Sequence, residues 1–367
     1  MKMVYIANVR LPTEKAHGLQ IMEMCQAFSK SGLEVELVVP RRLNYIKDDP
    51  FGYYGIAPVF KIKRLPCLDL IFLKFGIFGF WIESITFLLA AKFYLWFRHY
   101  DILYTREIAA FLFFSKAIVE VHSLPDRLYG FIYRKAQKII VLTSFLKARL
   151  VKEANLLENR ISVAADGVDV KKFDIKETKE YCRKKFSLPL NKNIVLYTGH
   201  LYKWKGVRIL LQAARNFQDI SFVFVGGTKE DLKSFRADTQ YSISNIQIIG
   251  HRPHAEIPYW LKAADVLVLP NSAAEKISSH YTSPMKLFEY MASGVPIVAS
   301  DLPSIREILN EQNAVLVRPD DPADLARGIE VVLKNKELAD KIAKNSQTAS
   351  ADYSWNSRVK KIKDFII

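Results

Sequence analysis

The chain alternates short apolar runs with amphipathic stretches, and it does so twice. No other feature limits its fold as strongly. Strand-like runs stand at residues 2–7, 33–39, 101–104, 117–121, 138–142 and 161–164. A second series follows at residues 193–198, 221–225, 245–249, 265–269, 295–299 and 314–317. Between the first two runs, Ile21, Met24, Cys25 and Phe28 recur at helical spacing, from about Gly18 to Lys30, with Gly32 ending the helix. Strands joined by helices form parallel sheets with right-handed crossovers. Such sheets bind ligands beyond the C-terminal ends of their strands. The expectation is an α/β chain of two doubly wound, Rossmann-like domains, which suits 367 residues.

Composition narrows the function classes. Lys and Arg number 53 against 38 Asp and Glu, a formal charge of +15. Such a balance implies an anionic partner: nucleic acid, an anionic membrane surface or a phosphorylated ligand. The cations are spread over the whole chain and no nucleic-acid recognition motif stands out, so nucleic acid is not expected. Cys25, Cys67 and Cys182 are far apart and odd in number, which speaks against a disulfide framework or a zinc site and fits a reducing cytosol. The first strand is reached with no secretory signal ahead of it. From Leu68 to Phe97 the chain is dense in Phe, Leu and Trp, interrupted by Lys74, Glu83 and Lys92. Its charge-free runs are shorter than the ~20 residues of a spanning helix. The order of readings is buried helices with an apolar surface, then a membrane-docking element, then a span.

The chemistry concentrates in Ser278–Leu309. Ser283 and Pro284 read as a helix N-cap and first helical residue. Met285, Phe288, Met291 and Ala292 follow at helical spacing, Gly294 ends the helix, and a buried strand comes next. The helix N-terminus, with Lys286 beside the backbone N–H groups of Met285 and Lys286, suits an anion. Glu289 shares a face with Met285 and Ala292, and a buried carboxylate needs a partner: an internal Lys or Arg, or a pair of ligand hydroxyls.

The run SPMKLFEYMASGVPIVASD resembles the donor-binding signature of retaining nucleotide-sugar glycosyltransferases of the GT-B fold, of the family 4 type. That resemblance implies two Rossmann-like domains facing a cleft: residues 1–166 bind the acceptor and residues 167–353 the nucleotide sugar. A terminal helix, 354–367, rejoins the first domain, and Ala165–Asp169 with Phe173 matches the interdomain junction. It also implies that Ser283, Pro284, Met285, Lys286 and Leu287 hold the donor diphosphate, and that Glu289 binds the ribose. The turn from Tyr197 to Gly206 resembles the donor-phosphate loop. Gly199 makes the tight turn and Lys205 matches the family's lysine, while His200 stands where an arginine is usual. Gly226 lies close to the same site, and the loop with His251 and Arg252 meets the base in that family. Gly18, after His17, matches part of a glycine-rich loop, and reads equally as a helix-start glycine. His122, directly after a strand, resembles the family's histidine near the donor sugar. Tyr281 replaces a second glutamate that usually touches the sugar, which leaves sugar preference open.

No Asp-x-Asp triplet is present. Leaving-group charge therefore falls to Lys205, Lys286, His200 and the helix N-terminus, with no metal and no cofactor beyond the nucleotide sugar. His122, Lys205 and Glu289 are the catalytic candidates. The expected acceptor is a glycan or a lipid-linked glycan of the cell envelope. The expected location is cytoplasmic, peripheral on the inner face of a membrane. A nucleotide-sugar 2-epimerase shares the fold and the donor site. A dinucleotide-dependent oxidoreductase needs G-x-G-x-x-G after the first strand, which residues 7–18 do not supply. Oligomeric state is not legible.

Overall fold

The computed structural model describes residues 1–71, 76–125, 130–238 and 245–367. Lys74, named above, lies outside them. The chain divides into two compact units, Met1–Ala165 with Trp355–Ile367, and Asp166–Ser354.

The first unit holds seven parallel strands: β1 (Lys2–Ile6), β2 (Glu34–Pro40), β3 (Lys61–Leu65), β4 (Ile102–Thr105), β5 (Ile118–Val121), β6 (Lys138–Val141) and β7 (Ile161–Val163). They run in the order β3-β2-β1-β4-β5-β6-β7. Successive residues Met3, Val4, Tyr5 and Ile6 are all buried, so both faces of β1 are covered. That is why the strand reads as an unbroken apolar run rather than an alternation. The strand order reverses between β1 and β4, which is where such sheets carry their ligands. Helix Ala16–Lys30 starts two residues before the sequence places it. Strand β3, KIKRL, was not foreseen. Three of its five residues are cations, and only an edge position, paired to β2 alone, leaves them in water.

The segment after β3 forms one helix, Gly76–Trp96, continuous through Glu83. It is the one helix among the described residues long and apolar enough to cross a membrane, by length and composition alone. Gly79, Glu83, Phe87, Ala91 and Leu95, each four residues on from the last, form its buried stripe. Burial raises the Glu83 carboxyl pKa, and the amide of Asn8 donates to it at 2.9 Å and to Ser84 at 2.8 Å.

The second unit holds six parallel strands: β8 (Asn193–Thr198), β9 (Ile220–Val225), β10 (Ile246–Gly250), β11 (Val266–Leu269), β12 (Ile297–Ser300) and β13 (Val315–Val317). Their order is β10-β9-β8-β11-β12-β13, with the reversal between β8 and β11. One ion pair ties the start of this sheet. Arg183, from helix Lys179–Lys185, is 7% exposed. Its Nη2 lies 2.5 Å from Asp265, whose carboxylate also accepts the Ile194 N–H at 2.7 Å. Breaking a buried pair costs far more than the pair contributes, because one charge is left uncompensated. Asp265→Ala should lower unfolding stability by about 3 kcal/mol. Chemical denaturation followed by circular dichroism reads this, and an unchanged midpoint would refute it.

Candidate active site

Beyond β8, β9 and β10 the rim of the second sheet is bare backbone. Gly199, Gly226 and Gly250 have φ of +117°, +122° and +83°. The Gly199 N–H donates to Val225 O and the Gly226 N–H to Gly250 O, each at 2.8 Å. A Cβ on Gly226 would run into the Gly199 carbonyl. Only glycine satisfies that close approach at that φ.

Helix Met285–Ala292 grips this rim through one face. The Lys286 Nζ donates to Thr198 O at 3.0 Å, and the Thr198 N–H donates to the Tyr290 hydroxyl at 2.7 Å. Lys286 and Tyr290 are four residues apart and so lie on one side of the helix. The Lys286 ammonium also sits 3.6 Å above the Tyr197 ring. Burial pushes its pKa well down and neighbouring Lys205 adds to this, while Glu289 opposes it. Lys205 is half-buried, with Nζ 3.9 Å over the Trp204 ring, and burial lowers it to about 7. Two lysines held short of full charge, next to glycine backbone, form a place an anion would complete.

The helix start differs from the sequence reading by one residue. Pro284 is the cap and Met285 the first helical residue. The Ser283 hydroxyl accepts the Asp166 N–H at 2.9 Å instead of capping the helix. Leu287 is buried, its N–H bonded to Pro284 O. The partner of Glu289 is neither a Lys nor an Arg: His254 Nε2 lies 2.8 Å from its Oε1. His254 was not foreseen. His251 and Arg252, which were, stand exposed in the same loop. His200 also departs from expectation. Its Nδ1 lies 3.0 Å from Asp231, and its ring stacks on Tyr202. Its ring is thus already engaged by a carboxylate and a tyrosine of the protein itself.

In the first unit the loops after β1, β4 and β5 enclose a pocket of about 250 Å³, among them Asn8, His17, Arg106, Glu107, Glu120 and His122. Glu120, 1% exposed, organises its floor. It accepts from Gln20 Nε2 at 2.7 Å, pairs with His122 Nε2 at 2.6 Å and Arg358 Nη2 at 3.1 Å, and accepts from the Tyr104 hydroxyl. Burial would raise this carboxyl; Arg358 and His122 outweigh it and hold it well below the usual range. Arg106 Nη1 donates to Gln20 Oε1 at 2.7 Å, so one chain of hydrogen bonds joins the loop after β4, helix Ala16–Lys30 and β5. Burial, then Arg106, Lys15 and His122, hold His17 down to about 4, with Glu14 opposing.

Gly18 receives a packing reason. A side chain there would collide with the Tyr54 hydroxyl, which bonds both the N–H and the carbonyl of Thr13 at 2.8 Å. The space a Cβ would take is filled by the protein's own tyrosine. Arg106 and Glu107 escaped the sequence reading although they follow β4 as His122 follows β5. The same strand-end rule would have found them. Arg358, 238 residues from Glu120, carried no signal at all.

Residues 178–349 match the family model of the glycosyl transferases group 1. A putative teichuronic acid biosynthesis glycosyltransferase of Bacillus subtilis, TuaC, is 29% identical over 170 residues, 46% of this chain and 40% of that one. The matches span only 40% to 58% of the length of the curated relatives. The sucrose-phosphate synthase of Thermosynechococcus elongatus superposes with a TM-score of 0.79 at 18% identity, over 99% of this chain and 98% of that one. HepE of Anabaena in complex with UDP-glucose superposes with a TM-score of 0.76 at 16% identity, over 99% and 98%. At such identities the likeness is one of fold, and it runs the length of the chain.

The pocket histidine has a pH signature. Below the ordinary value of 6.5 the unfolded chain binds a proton at His17 while the folded protein, near 4, does not. Stability therefore falls as pH drops from about 6.5 to about 4. His17→Gln removes this contribution, so its urea midpoint should fall less across that window than the wild-type midpoint. An equally steep fall would refute the assignment.

Proposed function

We propose that this chain, whose residues 178–349 match the group 1 glycosyl transferases and whose fold is GT-B, moves a sugar from a nucleotide-diphosphate sugar to an acceptor. The reading holds that it does so with retention of anomeric configuration and without a metal. The acceptor is a glycan or lipid-linked glycan of the cell envelope, met at the cytoplasmic face of a membrane. TuaC's description as a teichuronic acid enzyme supports the acceptor class, and the UDP-glucose in HepE supports the donor class.

The observation that carries the reading is the pair Lys205 and Lys286 at a glycine rim, beside Glu289. As the bond from sugar to diphosphate breaks, negative charge grows on the leaving oxygen. The two ammonium groups and the N–H groups of Met285 and Lys286 answer that charge. Glu289 has Oε1 engaged by His254, and its Oε2 accepts a ribose hydroxyl. In a front-face reaction the acceptor oxygen bonds to the sugar carbon, and its proton passes to the departing phosphate. No separate nucleophile is then required. By its resemblance to the family's histidine, His122, held by Glu120, is assigned the role of orienting the sugar and shielding developing positive charge. Among the described residues no three His, Cys, Asp or Glu side chains are grouped to hold a metal ion.

Two measurements test the reading. A diphosphate raises the pKa of Lys205, so UDP binding at pH 8 should take up protons. Calorimetry in buffers of different ionisation enthalpy reads this, and Lys205→Met should reduce the uptake. Glu289→Ala should weaken UDP about tenfold to a hundredfold, as loss of a charge-assisted hydrogen bond does. Unchanged affinity in both folded variants would remove the site. Separately, release of UDP from its sugar donor with an envelope glycolipid extract should survive excess chelator. Loss of turnover restored by Mg²⁺ or Mn²⁺ would overturn metal independence.

A further inference from the structure

We propose that the outward face of helix Gly76–Trp96, together with edge strand β3, docks the first unit on an anionic lipid bilayer. The inference stands apart from the glycosyl-transfer reading, because it concerns a surface and not the pocket.

The helix has two opposite faces. At 3.6 residues per turn, Phe78, Trp81, Ile85, Leu89, Phe93 and Trp96 fall on one side. They are 38% to 75% exposed. The stripe from Gly79 to Leu95 falls on the other side and is buried in the unit. The helix carries two charges. Glu83 is buried under the Asn8 amide, and Lys92 is exposed. The outward face therefore shows rings and branched chains with no carboxylate. A soluble monomer rarely leaves so continuous an apolar surface in water.

The cations lie on the strand that packs against this helix. Lys61, Lys63 and Arg64 of β3 are exposed. Tyr94 links strand to helix: its ring lies 5.4 Å from the Lys63 ammonium and 4.2 Å from the Arg98 guanidinium, and its hydroxyl donates to Glu36. Glu34 is the neighbouring acid, 3.9 Å from Lys61, with both side chains in solvent. Aromatic rings flanked by long cationic side chains are what an interfacial helix uses, rings among the acyl chains and amines at the headgroups.

Three arguments fix the occupant. Spanning would pull Glu83 and its buried stripe out of the unit and set a carboxylate in hydrocarbon, so the helix lies in the membrane plane. A zwitterionic surface offers no countercharge to β3. A second copy of the chain would bring like cations together along the rim, which opposes self-docking.

The test is flotation of the full chain with vesicles of phosphatidylcholine alone or mixed with phosphatidylglycerol, at low and high salt. Tryptophan quenching by brominated lipid runs in parallel. The wild-type protein should float with anionic vesicles at low salt, weaken at high salt, and be quenched. The variant Lys61→Gln, Lys63→Gln, Arg64→Gln should bind about fivefold more weakly for each charge removed. The variant Phe78→Ser, Trp81→Ser, Phe93→Ser should lose flotation, with thermal unfolding confirming that both variants remain folded. Failure of the wild-type protein to float, or flotation indifferent to both variants, would overturn the proposal. So would a wild-type dimer that the apolar variant dissociates, with no vesicle binding.

Discussion

An all-parallel sheet sends every strand end of one kind to the same edge, and both units depend on that constraint. Each strand must be followed by a crossover before the next can pair. The loops after β1, β4 and β5 therefore converge although their residues are far apart in sequence, and the loops after β8, β9 and β10 do the same. Both faces of each sheet are covered, which leaves polar chemistry the strand ends and little else. The strand-order reversal then marks where those ends part to admit a ligand.

Each unit populates its edge in a different way. In the second unit the edge is stripped of side chains by Gly199, Gly226 and Gly250, and charge arrives from a helix laid against it. In the first, a single buried carboxylate gathers the polar groups. Glu120 is answered by Arg358 and His122, with Gln20 and Tyr104 completing its hydrogen bonds. A buried charge with this many partners is stable only while all of them stay in place. One unit thus offers a surface shaped by absence, and the other a network shaped by mutual need.

Legibility in the sequence followed the range of the interaction. Strands in covered sheets announce themselves as apolar runs, and β8 was read to the residue. The helix at Met285 was visible through its apolar spacing, but its first residue depended on a hydroxyl that binds Asp166, and propensity does not record that. Strand β3 was invisible because cations are poor strand formers except at an edge, and edges are a property of the assembled sheet. Lys205 and Lys286 were legible as residues, while their depressed basicity is created by the burial around them. His254 and Arg358 could not be read, since each answers a carboxylate 35 or 238 positions away.

The placement of Arg358 bears on how the protein is made. In the first unit β1 is translated before the other strands, yet the guanidinium that neutralises Glu120 lies in helix Trp355–Ile366. Until that helix has been synthesised and has emerged, Glu120 lacks the guanidinium and has only His122, Gln20 and Tyr104 to meet it. The unit that starts first is thus electrostatically complete last, after the whole of the second unit has been translated. A nascent chain stalled between β7 and residue 358 would present a finished-looking sheet around a charge only partly answered.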